Sequence, residues 1–484
     1  MNLREASERV KMLEGREMTT VTRPTQALAL KLAGKNPSFE DLEILTMAVS
    51  RESDRLILQE ALQTLSESFG DAVSVHGEEY GEHEPGAVTY HSLCGPLAVT
   101  RSTYRQTGVR NGPTAVPLEL QAALMERGTP ALAKAASLGY AKHDLRGVVE
   151  DLHAAHRDPP SRATLDRMAR RLAEHAHTEA PIIERTLRRQ ETLPEGAHGL
   201  VIGLDRGSVP MAETRPAGQP PATPRRTRTD PYERTPPPPF DVNWRMAPVA
   251  TVMITDAAGD GLVTRKYAGT AGEGWDGIVT RAMADVKAAL QSKPDLAVAV
   301  VQDGAHELWN ITRAALKTLP EVIAYLEAID RFHLNERLGK VIRIIEPDPA
   351  ARSKEYERWQ TLLDTAFGAI DEIEKIVLQA HGTLDTEASK DLWEHLVYLR
   401  NNKDRMRYVE LRASGLPVGS GATESGCNTL LNLRVKRNAE HWSEEGLQGV
   451  LTFRGIHRSE RFDTFWKYFV RRYHSTVIKL ATAA

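Results

Sequence analysis

The chain has 484 residues, 41% of them hydrophobic and 26% charged, enough to bury several domain-sized cores and too apolar for a disordered tail. No run approaches the roughly 20 consecutive apolar residues of a membrane-spanning helix, and Met1 to Lys11 alternates charged with apolar residues where a secretory signal needs an apolar stretch, so a cytoplasmic protein is expected. Cys94 and Cys427 can form at most one disulfide and cannot supply a four-thiolate zinc site, and a net charge of -3 points to nucleic acid only if the basic residues are segregated.

Residues 39–69 carry Leu58, Ala61, Leu62, Leu65 and Phe69 three and four apart, with Asp41 and Glu43 near the start. This spacing predicts an amphipathic helix inside a helical N-terminal region, 1–84, that is a candidate for oligomerisation. From Glu67 to Glu84 there are six acids and no Lys or Arg, which reads as a solvated loop. Val88 to Leu93 and Leu97 to Thr100, on either side of Cys94-Gly95-Pro96, predict a β-hairpin.

Three helical patterns follow over 118–176. The middle one aligns Leu145, Val148, Val149 and Leu152. The third, with Ser161 as N-cap, sets Leu165, Met168, Ala169 and Leu172 against Arg162, Arg167, Arg170 and Arg171. A last helix that is apolar behind and cationic in front is how a helix-turn-helix reads, and an ordinary surface helix exposes arginines in the same way. Region 85–190 is therefore assigned as a β-hairpin and a helix-turn-helix-like DNA-binding region, closed by a charged helical connector from Pro181 to Gln190.

The texture then changes. Leu200 to Leu204, Val249 to Ile254 and Leu296 to Val301 are short apolar runs with a helical stretch, Trp275 to Leu290, before the last. Buried strands flanked by helices imply an α/β layer over 191–330, with a further strand at Val322 to Leu326. Residues 207–246, with Pro220-Pro221, Pro236 to Pro239 and the basic Arg225, Arg226 and Arg228, read as a mobile insert, either a plain linker or a DNA-tracking arm. An all-α insertion is expected over 331–414, where Trp359, Leu362, Leu363, Phe367 and Ile370 recur at helical spacing. A final helix from about Ala422 and a basic C-terminal region complete 415–484.

Asp205 and Asp303 each follow a core strand. Adjacent parallel strands end at the same edge, so two such carboxylates can share a divalent ion. Glu424, in the first turn of a helix entered through Gly419-Ser420-Gly421, is the leading third acid. Two ions held by three acids is the arrangement that cleaves and transfers phosphodiesters. Asp330 and His333 either reach the same cleft or form an N-cap and its helix. From Arg434 to Arg472 there are nine Lys or Arg against five acids, interleaved with aromatics. Lys436, Arg437 and Trp442 are the favoured DNA contacts, while Phe462, Trp466 and Phe469 recur at core spacing.

Asp205, Asp303-Gly304, Asp330-Arg-Phe-His333 and the block Gly415-Leu-Pro-Val-Gly-Ser-Gly-Ala-Thr-Glu424-Ser-Gly-Cys427, followed by Arg434, Lys436, Arg437 and Trp442, resemble DDE transposases of bacterial insertion sequences, in particular the ISKra family. The Cys94 to Arg101 hairpin, Tyr104 and Pro117-Leu118 resemble its N-terminal part, so the likeness spans about residues 85–470. The resemblance implies an RNase H-like catalytic core with an all-α insertion, and Asp205, Asp303 and Glu424 as ligands of two Mg²⁺ ions, for which Mn²⁺ can substitute. It implies binding of terminal inverted repeats, cleavage and strand transfer into target DNA by a homodimer or larger synaptic oligomer. A silent transposase-derived DNA-binding protein, or a nuclease that cuts without joining, are the alternatives.

Overall fold

The computed structural model describes residues 25–34, 36–219, 225–226, 234–235, 239–382, 386–437 and 440–480. Among the described residues the protein is mixed α/β with two five-stranded sheets and a two-stranded one, and the chain divides into two compact units, residues 1–172 with 466–484, and residues 173–465. Among the described residues no helix is long and apolar enough to cross a membrane.

In the first unit Ser38 opens helix α1 (Phe39–Glu67). Its hydroxyl accepts from the Asp41 N–H at 3.0 Å, and the Asp41 carboxylate accepts from the Ser38 N–H at 3.1 Å. Leu62 and Leu65 pack on the sheet and Phe69 is buried, while Ile44, Leu56 and Ile57 stay exposed. Strands β1 (Ala72–Val75), β2 (Glu78–Ser92), β3 (Gly95–Gln106) and β4 (Thr114–Ala115) form an antiparallel meander, with the C-terminal strand Val477–Lys479 beside β1. The expected hairpin is present and longer than predicted. The acidic stretch read as a loop is instead mostly strand, because the alternation that buries Val73 and Val75 outweighs the charge around it. Since β4 pairs with β3 only at Tyr104 and Arg105, the rest of that edge needs other partners. Gln59 and Gln63, one helical turn apart on α1, supply them by accepting from the Ala98 and Thr100 N–H groups at 3.0 and 2.9 Å.

Helices α2 (Pro130–Lys142) and α3 (Leu145–Ala154) meet where Gly139 lacks a side chain; a Cβ there would stand 2.6 Å from Val148. Val148 is buried, with Leu145, Val149 and Leu152 half-buried. Ser161 accepts from the Thr164 N–H at 3.3 Å, as an N-cap does, and α4 (Arg162–Gln190) then runs through Pro181 as one helix, so the expected connector is its continuation.

In the second unit a long hairpin of β5 (Gly199–Thr214) and β6 (Phe240–Thr255) is extended by β7 (Gly261–Ala268) on the β6 side. Helix α5 (Asp276–Ser292) leads to β8 (Ala297–Gln302), parallel to β5, and α6 (His306–Leu316) leads to β9 (Leu326–Ile329), parallel to β8. The order across the sheet is β9-β8-β5-β6-β7. Two expectations need correction. Residues 207–214 and 240–246 are paired strand, with Val209, Pro210 and Met211 buried, so the Pro-rich segment starts only after Thr214, and within it Arg225 and Arg226 pair with Thr235 and Arg234; Pro220, Pro221, Pro236 to Pro238 and Arg228 lie outside the described residues. The strand expected at 322–326 instead begins at Leu326, and Ile323 is 93% exposed.

Leu200, Ile202, Leu204, Val298 and Val300 form one sheet face, covered by Ile278, Ala282 and Val286 of α5 and Trp309 of α6. The expected all-α insertion follows as α7 (Arg331–Ile345), α8 (Pro349–Thr365), α9 (Ala369–His381), α10 (Thr386–Asn402) and α11 (Tyr408–Ala413). Trp359, Leu363 and Ile370 are buried in it, but Phe367 falls in the break before α9 and is 74% exposed.

A buried ionic network ties α4, α5 and β7 together. Arg188 and Arg461 donate to Asp285 at 2.7 and 2.9 Å, the Tyr267 hydroxyl also donates to it, and Arg281 holds Glu184 at 2.6 Å. Burial alone would raise the Asp285 carboxyl, but Arg461, Arg188 and these hydrogen bonds outweigh it and keep it below its ordinary 3.8. Asp285→Asn strands buried arginine charge and should lower unfolding stability by about 3–5 kcal/mol in denaturant titrations at neutral pH. Because the native carboxyl is depressed, its contribution is full above pH 3.8 and is lost as the pH falls through the native value. The difference between parent and variant should therefore shrink in acid.

Candidate active site

The strand register brings the acids to one level. Val300 pairs with Ile202, so three residues on Asp303 stands level with Asp205; Gln302 pairs with Ile329, so the next pair is Asp303 with Asp330. All three belong to the sheet face whose apolar members are Val201, Ala299, Val301 and Ala328. That layer therefore changes from aliphatic to carboxylate along a single line. Asp205 does not end its strand as expected, since β5 continues to Thr214; the strand that ends here is β8, which opens the sheet beside Asp205.

A short helix, α12 (Gly421–Cys427), lies directly on this face and runs into a π-helical turn, Asn428–Asn432. The strands can accept it because the side chains beneath are missing. A Cβ on Gly203 would stand 1.9 Å from the Thr423 hydroxyl, and one on Gly207 would stand 2.7 Å from Leu431. Thr423 is hydrogen-bonded to Thr251 of β6 at 2.8 Å. One turn on, the Cys427 thiol donates to Asp205 Oδ2 at 3.1 Å, while the Arg206 N–H donates to Oδ1 at 2.7 Å. Burial, and then the charge of Asp205, push the Cys427 thiol well up, so it stays a donor. Glu424, next to Thr423 on α12, is exposed.

Asp330 is 1% exposed, and its oxygens are taken. Oδ1 accepts from the Phe332 and His333 N–H groups at 2.5 and 3.3 Å, which caps α7, and Oδ2 accepts from the Ser420 N–H at 2.6 Å and from the Ser420 hydroxyl. It thus latches the turn that enters α12 to the start of α7. One oxygen each of Asp330 and Glu424 and a ring nitrogen of exposed His333 lie within 4.8 Å of one another. Asp205 and Asp303 are not in that group. Asp303 accepts from the Ala305 N–H at 2.8 Å through Oδ1. Tyr398 of the insertion leans over the adjoining Gly304, where a Cβ would meet its ring at 2.7 Å, and Arg337 stacks on that ring at 3.8 Å. Burial raises the Tyr398 phenol, Arg337 opposes this, and Asp303 and Asp330 add to it, which places the ring in the field of both acids. No local signal in the sequence marks Tyr398 or Arg337 for this position.

Of the expected DNA contacts, Lys436 stands beside Gly207, two residues past Asp205, and Arg437 is half-buried with Nε donating to the Leu433 carbonyl at 3.3 Å. Trp442 does not offer a face for a base. It is 9% exposed, its indole N–H donates to the Val435 carbonyl at 3.0 Å, and Arg434 stacks on it. Its backbone also pairs with Pro210 and Ala212 of β5, which explains the burial. Arg162, Arg167, Arg170 and Arg171 are all exposed opposite buried Leu165, Met168 and Leu172. Arg170 pairs with Asp166 and Arg171 with Glu126, both at 2.9 Å, whereas among the described residues Arg162 and Arg167 have no carboxylate within 4.0 Å.

Comparison of the sequence with protein-family models and with curated proteins found no match. The close approach at Gly203 is directly testable: Gly203→Ala should push α12 off the strands and cost about 1–3 kcal/mol in thermal or chemical unfolding, as overpacking does. Adding Thr423→Ala removes the hydroxyl and should recover part of that loss. Additive effects in the double variant would show that the two positions do not share space.

Proposed function

We propose that the second unit is an RNase H-like catalytic core and that the protein is a DDE-type DNA transposase. The observation that carries this reading is the levelling of Asp205 and Asp303 on neighbouring strands of one sheet face, with Glu424 on the helix laid across that face. Three antiparallel strands followed by two parallel to the first, with an all-α insertion before the helix that bears the last acid, fit such a core. Asp205, Asp303 and Glu424 are the catalytic acids of the proposal.

Their chemistry suits hard divalent ions. The donor set is all carboxylate, and Arg206, the nearest arginine in sequence, is drawn aside to Glu307 at 2.8 Å and leaves Asp205 uncompensated by it. Bound there, Mg²⁺ or Mn²⁺ supplies charge to polarise a phosphodiester and to stabilise its leaving oxygen. The chain does the positioning. Cys427 and Arg206 fix the Asp205 carboxylate from two sides, Ala305 fixes Asp303, and the Asp330–Ser420 latch sets the angle at which Glu424 enters. Asp330, saturated with donors, serves as that latch and not as a ligand. His333, exposed beside Glu424, is placed to contact a phosphate or water.

Element ends are bound, in this proposal, by the helix carrying Arg162 and Arg167, with Lys436 and Arg437 near the acids. Joining two ends to a target calls for a dimer or larger assembly on double-stranded DNA, acting in the cytoplasm.

The test mixes the full chain with labelled element ends, target DNA and Mg²⁺ and resolves cut from joined products, which separates a transposase from a nuclease and from a silent binding protein. Glu424→Gln keeps size and removes charge, so cleavage should vanish while end binding persists. Retained cleavage in that variant, with loss in Asp330→Asn, would give the third-ligand role to Asp330. Replacing Arg162, Arg167 and Arg170 by Ala should weaken end binding by about 1–3 kcal/mol for each guanine-reading arginine, measured by fluorescence anisotropy. Unchanged end binding would remove α4 from the DNA interface.

A further inference from the structure

On the far side of α12 from Asp205, a set of cations gathers around edge strand β7. Helix α13 (Glu444–Arg458) packs against β7 where Gly455 lacks a side chain, and a Cβ there would lie 3.1 Å from the Lys266 carbonyl. The Ser459 hydroxyl accepts from the Lys266 N–H at 2.8 Å and reaches its carbonyl at 3.3 Å, closing the strand edge and fixing the lysine's backbone. From there the Lys266 ammonium donates to the Ser425 hydroxyl at 3.0 Å and to that of Thr429 at 3.4 Å. Ser425 follows Glu424 directly, and both are exposed.

Arg458 stands in the same set, with its Nε buried and lacking a hydrogen-bond partner among the described residues. Arg454, 1% exposed, donates to the Thr429 carbonyl, and burial followed by the charges of Arg458, Arg434 and Arg437 pushes its guanidinium down to about 10. Burial and Arg458 likewise lower the Lys266 ammonium, with Glu460 opposing. Glu440 lies 3.5 Å from Arg434, and Glu460 acts on Lys266. Cations held this close repel one another, and a polyanion laid across them relieves that repulsion.

We propose that Lys266 and Arg458, with the hydroxyl of Ser425, form a phosphate-binding site beside Glu424 that holds the backbone of the DNA strand being cut. Ammonium, guanidinium and the Ser425 hydroxyl are donors, and phosphate oxygens accept from all of them, while the Thr429 hydroxyl, which donates to the Ser425 carbonyl at 2.5 Å, holds the lysine in place. The site deepens the transposase reading and rests on DNA being the substrate. It reads no bases, so it acts on any sequence.

The experiment measures binding of a fluorescent duplex of arbitrary sequence by the full chain over a range of salt. In the Lys266→Gln, Arg458→Gln double variant the slope of log K against log salt should fall in magnitude by about 1.8, two contacts at about 0.9 each. A Lys266→Arg, Arg458→Lys variant, which keeps both charges, should keep the parent slope. A parent that binds DNA, with a double variant of unchanged slope, overturns the site and leaves the functional proposal standing. Equal loss in the charge-conserving variant assigns both residues to packing and also overturns it. A parent that binds no DNA at low salt overturns the functional proposal and the ligand together.

Discussion

Gly203 and Thr423 compete for one space, and the helix wins it. Because the strand has no side chain there, α12 lies on the backbone of β5 and β6, with Gly426 over Thr251 and the Cys427 thiol against Asp205. A helix that rests on backbone cannot slide or rotate without a clash, so the position of Glu424 follows from the contacts that Thr423, Gly426 and Cys427 make on the same two turns. The glycines at 199, 203 and 207 and Asp205 all fall on that face by strand alternation, which is why one stretch of sequence supplies both the groove and its acid.

Charge is sorted by how many donors each carboxylate has already accepted. Asp330 is buried and takes four hydrogen bonds, which join the start of α7 to the turn before α12. Asp205 and Asp303 are half-buried and accept fewer bonds, and Glu424 faces solvent. Away from the site, Glu184 and Asp285 are neutralised by arginines inside the unit, so burial there secures the packing of α4 on α5. The same residue types thus do three kinds of work, separated by burial and by the number of donors within reach.

Much of this was legible from patterns of two and four. The capped helix at 39–67, the hairpin across Cys94-Gly95-Pro96, the helical insertion and the core strands each announce themselves by local periodicity. Misreadings arose where one signal masked another. Acidity hid the alternation of Val73 and Val75, prolines drew the edge of the insert too early and concealed the strand carrying Val209 and Met211, and an aromatic beside arginines looked like a base-stacking residue when Trp442 was folded under Arg434.

The sequence by itself determined most helices and the apolar centres of the core strands, and that acids stand close to those strands and behind a glycine-rich turn, because these follow from side-chain alternation and backbone freedom within a few residues. Only the tertiary structure decided which acids are level, which one is already saturated, and which cations crowd the far side of α12. Strand register joins residues 98 positions apart, as Ala297 with Gly199, and a lysine at 266 meets a serine at 425 through packing alone. No local pattern encodes such distances, since they are set by how the layers close on one another.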